Sequence, residues 1–216
     1  MSTVFGREPV LDTVERVSEM CFGLFMALTF VGAVFATSDA QDGRTMFYTA
    51  LGCNVAWGLV DAVMYLVRTI TLRGKVFTMA RAVRGAPDGA AGVAVLREGL
   101  PTPWDSFTSD ADLGAIRGRL IAAELPGRPQ LYARDFAGAV GIFLIVVSTT
   151  FPVALPFVLM DDVRAALLVS RIFTLAMLFF GGLALGRFAG YGTWRSGLAM
   201  VGLGVLITVA IIALGG

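Results

Sequence analysis

The chain has 216 residues, of which 56% are hydrophobic and only 15% charged, with a net charge of +1 and no histidine. Soluble domains carry roughly 25% charged residues, so this composition argues against an ordinary soluble enzyme or binding module and for an integral membrane protein. The net charge gives no sign of a nucleic-acid partner, and the two cysteines, Cys21 and Cys53, match no zinc, redox or disulfide pattern.

Along the chain, the first sixteen residues include Glu8, Asp12 and Glu15. They are too acidic for the basic leader of a secretory signal, so the first helix is expected to be retained. Apolar runs long enough to cross a hydrocarbon core, which takes about 18–20 residues, occur five times: 17–36, 45–67, 136–160, 165–190 and 196–214. The expectation is an all-α polytopic membrane protein with five transmembrane helices. Residues 1–67 hold the N-terminal tail and spans one and two, 68–135 a small cytoplasmic domain, and 136–216 spans three to five. Short links make neighbouring spans antiparallel hairpins.

The first span opens on Glu19, followed on the same helical face by Gly23 and Met26. The second contains Asp61, its one charge, on a face with Asn54, Gly58 and Tyr65 and with Met64 beside it. In the polar stretch that follows, Ser109 is placed to cap a helix over 109–125, with Leu113, Ile116, Leu120 and Ile121 at helical spacing. The earlier part of that stretch is punctuated by Gly and Pro, at 85–89 and 101–103. The third span carries Pro152 and Pro156, which remove backbone hydrogen bonds and bend or break a helix. Such interruptions line transport sites in some membrane proteins and merely shape the bundle in others. Asp161, Asp162 and Arg164 read as a solvated cluster, with Arg171 reaching toward them or toward headgroups. Gly197, Gly202 and Gly204 in the fifth span suggest close helix contact.

Basic residues set the direction. Ten lie in 68–135, two in the N-terminal tail (Arg7, Arg16) and two near the last turn (Arg187, Arg195), all on one side if the spans alternate. The positive-inside rule makes that side the cytoplasm and leaves the C-terminus outside. Asp61 is then about 10 Å deep, seven residues before Arg68, and Glu19 is shallower by roughly 5 Å.

A carboxylate in hydrocarbon costs about 2.5–3.5 kcal/mol even on insertion scales. Asp61 therefore needs a protein interior, a partner charge, a cation or a watered path. Carboxylate, amide and thioether donors without imidazole or thiolate suit Mn²⁺ or Fe²⁺ better than zinc, copper or nickel. Burial favours the protonated form of a carboxylate and a bound cation the ionised form, so such a group can exchange one for the other. Bland readings stand beside this one: Glu19 could snorkel or pair with Arg16, and Asp61 could be a structural partner of Asn54 or a backbone group. No motif nominates an enzyme.

Three stretches carry a resemblance: Val-Ser-Glu-Met-Cys-Phe-Gly-Leu at 17–24, Leu-Gly-Cys-Asn-Val-Ala-Trp-Gly-Leu-Val-Asp-Ala-Val-Met-Tyr at 51–65, and Trp-Arg-Ser-Gly-Leu-Ala-Met at 194–200. Together with the five spans and the polar stretch after the second, they resemble the vacuolar iron transporter family, in its divergent bacterial branch. The resemblance implies a homodimer in a bacterial inner membrane that exports Fe²⁺ or Mn²⁺ from the cytoplasm, in exchange for protons. The metal is cargo, with no permanently bound cofactor. Glu19 would match the family's first-span carboxylate, Asn54 the place of its second-span acid, and Asp61 or Met64 its metal-binding methionine. The metal set is thus Glu19, Asn54, Asp61 and Met64. The polar stretch offers only Glu98, Asp105, Asp110, Asp112, Glu124 and Met79, a departure from the Glu- and Met-rich metal-collecting domain of relatives. The rival from another class is a non-transporting scaffold or regulatory subunit whose intramembrane polar residues lock helix packing.

Overall fold

The computed structural model describes residues 11–37, 42–101, 103–190 and 192–213. Arg7, Glu8, Gly215 and Gly216 lie outside the described residues, as does the side chain of Asp105. Among the described residues every regular element is a helix. Five are long and apolar enough to cross a membrane: α1 (Thr13–Thr37), α2 (Gly43–Arg84), α6 (Ala133–Ala154) with its continuation α7 (Pro156–Leu159), α8 (Val163–Ala189) and α9 (Thr193–Ala213). The all-helical, five-span architecture expected from composition is the one observed. The chain divides into two compact units, Tyr65–Ala133 and the remainder.

In the first unit α1 packs on both α8 and α9, and α8 packs closely along α9. Hydrophobic attraction between helices is weak in lipid, so close packing of small residues has to do the work. A Cβ on Gly182 would meet the Ser196 carbonyl oxygen at 2.7 Å and Gly197 Cα at 2.8 Å. Gly186 meets Thr193 Cα at 2.8 Å, Gly197 the Phe179 ring at 2.9 Å, and Gly204 meets Leu175 at 2.8 Å. Gly197 and Gly204 thus mark a seam, as expected, whereas Gly202 has nothing within 4 Å. Gly181, facing Cys21 and Met20 of α1, extends the same device to the next helix. Cys21 joins Leu24, Ala27, Val153 and Leu178 in one buried cluster, and both cysteines are free thiols.

Two local features set the remaining spans. Pro152 sits inside α6, and Pro156 opens α7, so the helix is interrupted at Leu155. Pro152 has no N–H for the Ser148 carbonyl, yet Leu155 stays helical and donates to Phe151 O at 2.9 Å. The third span is therefore nicked near its end rather than broken in two. Asp162 then caps α8 by accepting from the Arg164 backbone N–H at 2.9 Å, which gives the expected acidic cluster a capping role. Gly190, at φ 74°, ends α8 in the left-handed conformation that glycine adopts without strain.

The second unit departs further from expectation. α2 does not stop where the apolar run ends at Val67; it continues to Arg84 as one 42-residue helix. A helix beyond the one expected from spacing, α3 (Gly89–Glu98), starts on the Asp88 side chain, which accepts from Ala91 N–H at 2.7 Å. After the short α4 (Trp104–Phe107) comes α5 (Asp110–Ala122), where Ser109 and Asp112 form the anticipated capping box. Val83, Leu96 and Leu113, one from each long helix, make the buried core. Arg84 donates to the Leu120, Ile121 and Ala123 carbonyls at the end of α5, and Arg97 pairs with Asp110 at 2.6 Å.

Two predictions follow from packing and capping. Gly182→Val, which must drive α9 away from α8, is expected to cost about 1–3 kcal/mol, read as a lowered unfolding temperature in detergent, while Gly202→Ala leaves it level or raised. Donation from the Ser109 hydroxyl and N–H holds the Asp112 carboxyl below its ordinary value of 3.8. The stability this adds is complete above that value and fades as pH falls through the folded value. The difference in unfolding temperature between wild type and Asp112→Ala should therefore be present at neutral pH and shrink below about pH 4.

Candidate functional site

The buried face of α2 is built on a spacing of four: Met46, Ala50, Asn54, Gly58 and Ala62 are all buried. Four residues advance 400° around a helix, so this set forms a slowly drifting stripe. Asn54 is its one polar member and is fully buried. Its Nδ2 donates to the Gly23 carbonyl of α1 at 3.1 Å and also to the Thr150 hydroxyl of α6. Thr149 Oγ1 in turn donates to Val146 O at 2.9 Å, and Thr150 Oγ1 to the same carbonyl at 3.3 Å.

Gly23 makes the junction possible. A Cβ there would lie 2.5 Å from Thr149 Oγ1 and 3.0 Å from Val146 O. A side chain at 23 would push α1 off α6 and carry its carbonyl away from Asn54. Gly58, one turn further along α2, brings that helix against Phe143 and Val147 of α6. Three membrane helices thus meet at two glycines and one amide. Each such hydrogen bond within a bilayer contributes about 0.6–2 kcal/mol.

Two oxygens on this face are left over. Asn54 Oδ1 and Asp61 Oδ2 are both buried, and nothing among the described residues donates to either. An acceptor buried without a donor costs about 1–3 kcal/mol. Asp61 lies seven residues past Asn54, about 10 Å along α2, and Glu19 four residues before Gly23, about 6 Å along α1. The two helices are joined by a short link and run antiparallel, so both offsets point toward the same end. The backbone positions of Glu19 and Asp61 therefore fall within about 5 Å of one height. Glu19 is partly buried and already engaged within the fold.

Met64 lies elsewhere. It is 54% exposed, on the outer side of α2 with Val60, Val63 and Val67. Three residues turn the helix by about 300°, which carries Met64 roughly 60° off the Asp61 direction and past the edge of the buried stripe. Of the four residues singled out as metal ligands, the fold gives Asn54 and Asp61 one shared face and Glu19 the same height, and turns Met64 outward. No group of three or more His, Cys, Asp or Glu placed to hold a metal ion occurs among the described residues.

No protein-family model matches the chain, and no curated protein matches it either. The resemblance to vacuolar iron transporters rests on the three stretches that carry it.

Two participants were not legible beforehand. Thr150 is the last of three adjacent hydroxyl residues, Ser148 to Thr150, in an apolar run; that run is the sign that the third span offers a polar partner. Asp135 is a buried carboxylate in the first turn of α6 and makes its own contact within the fold. Loss of the Asn54 clasp is measurable: Asn54→Ala removes the donations to Gly23 O and Thr150 Oγ1 and is expected to cost about 1–3 kcal/mol in detergent unfolding. Thr150→Val, which removes one of the two acceptors, should cost less, and the double variant should cost less than the sum.

Proposed function

We propose that the chain is a membrane transporter that moves a divalent transition-metal cation, Fe²⁺ or Mn²⁺, out of the cytoplasm in exchange for protons. The observation that carries this reading is the Asp61 carboxylate: one of its oxygens is buried, with no donor among the described residues, on a helix long and apolar enough to cross a membrane. A carboxylate held this way is stabilised by whatever cation reaches it, metal or proton.

On this reading Asp61 and Glu19, near one height, supply two negative charges to a dication, and the Asn54 oxygen lies about 10 Å further along as a neutral acceptor. When the metal leaves, protons neutralise the acids, so the path never carries bare charge through hydrocarbon. Met64 joins the site only from a second copy seated on the outer face of α2 or after rotation of that helix. The homodimer implied by the family resemblance supplies the first route. The basic unit 65–133 then lies in the cytoplasm, and the membrane is a bacterial inner membrane.

A second reading has its own observation. The Asn54 clasp to Gly23 and Thr150 already uses one intramembrane polar group for helix locking, as a non-transporting scaffold or regulatory subunit would. Flux separates the two. In proteoliposomes loaded with a metal-sensitive dye, wild type is expected to admit Mn²⁺ or Fe²⁺ and to move protons oppositely. Asp61→Asn and Glu19→Gln, which keep size and polarity, should bring metal flux to near background while the proteins remain folded. Wild-type protein that moves neither metal nor protons supports the scaffold; proton flux indifferent to metal points to another cargo.

A further inference from the structure

The second unit holds an aromatic pair that its own packing does not use. Trp104 and Phe107 are 63% and 77% exposed, three residues apart on α4, so both side chains leave the same side of that short helix. The segment is firmly held. The Thr108 hydroxyl donates to Trp104 O at 2.7 Å, the Ser106 hydroxyl to Pro103 O at 2.7 Å, and Arg97 reaches Thr108 O at 3.3 Å. Two large apolar rings are thereby fixed outward rather than folded onto the nearby core of Leu96 and Leu113.

The contacts of the unit say which end of it they occupy. Gly92 of α3 faces Val83 O and Gly99 faces Met79 Sδ, so α3 runs back along α2 toward Tyr65. α5 returns the other way, its Arg117 beside Gly92 and its end at Arg84. The connection between them, α4, therefore lies at the end of the unit nearer to Tyr65. The last segment of the unit closes there too, with Arg73 donating to Gln130 O at 2.9 Å and lying over the Tyr132 ring. Both chain ends at that side, Tyr65 and Ala133, continue into spans. Met79 is 11 residues past Arg68, about 16 Å along α2, and α4 follows Gly99 through hydrogen-bonded turns, with Leu100 N–H donating to Arg97 O at 3.1 Å and Trp104 N–H to Pro101 O at 2.8 Å.

Charge agrees with that placement. The unit carries nine Lys or Arg against six Asp or Glu, with Arg68, Arg73 and Lys75 on the turns of α2 between Tyr65 and Met79. Basic residues at that height attract anionic lipid headgroups, an attraction that falls off within a Debye length of the surface. Trp and other aromatic rings are the side chains that partition best into the interface. We propose that Trp104 and Phe107 seat the 65–133 unit in the headgroup region of the leaflet from which it emerges, an anionic phospholipid surface.

Brominated lipids test this directly. In full-length protein carrying Trp57→Phe and Trp194→Phe, Trp104 is the single emitter. Reconstituted in phosphatidylcholine–phosphatidylglycerol vesicles, its emission should be blue-shifted, strongly quenched by lipids brominated near the glycerol, less by lipids brominated near the chain end, and weakly by aqueous acrylamide. Strong acrylamide quenching with no bromolipid effect overturns the proposal. So does a blue-shifted emission that neither quencher reaches, which would place the rings on protein, such as a second copy. If the double replacement impairs folding, the difference spectrum between wild type and Trp104→Phe gives the same reading with one conservative change.

Discussion

A membrane helix can hide its backbone but not an amide side chain, and the first unit is organised around that constraint. Asn54 needs partners at a depth where water is absent, and it finds them on two other helices at once. Both partners are available only because Gly23 lets α1 come within van der Waals reach of α6. The glycine seam between α8 and α9 solves a different problem, since it brings backbones together for dispersion alone. The amide clasp fixes rotation as well as distance: turning α2 by one residue would take Asn54 off both acceptors.

That rotational lock decides what else faces inward. With Asn54 pinned, Gly58 must meet α6 and Asp61 must follow on the same side, so the carboxylate is placed by a residue two turns away. Seen thus, the structural and functional readings of α2 are not rivals for the same atoms. Nδ2 of Asn54 locks helices, while Oδ1 of Asn54 and Oδ2 of Asp61 remain as acceptors with no donor among the described residues.

Much of this was legible in the sequence where one periodicity dominates. Runs of twenty apolar residues announce spans, and the i, i+4, i+7 spacing put Asn54, Gly58 and Asp61 on one face before any coordinates. Met64 faces outward because adjacency to a stripe is not membership of it; an offset of about 60° separates an inward from an outward side chain. The extension of α2 past Val67 was hidden by its arginines, which read as topology signals although Phe77, Ala80, Val83 and Arg84 keep helical spacing. Around α3 the glycines looked like loop punctuation. Gly92 and Gly99 are instead close-approach positions, occupied by Arg117 and Met79. A lone sequence cannot distinguish a glycine chosen for its flexibility from one chosen for its small size.

The separation along the chain of the groups that Asn54 joins has a consequence for biogenesis. Gly23 is 31 residues upstream and is already made when Asn54 emerges, but Thr150 lies 96 residues downstream. The α1–α2 hairpin must therefore enter the bilayer with its amide half satisfied. It waits there while the whole 65–133 unit is synthesised and until α6 arrives. The growing chain thus passes through a stage in which α2 is held by the Gly23 half of the clasp alone, and the third span completes it.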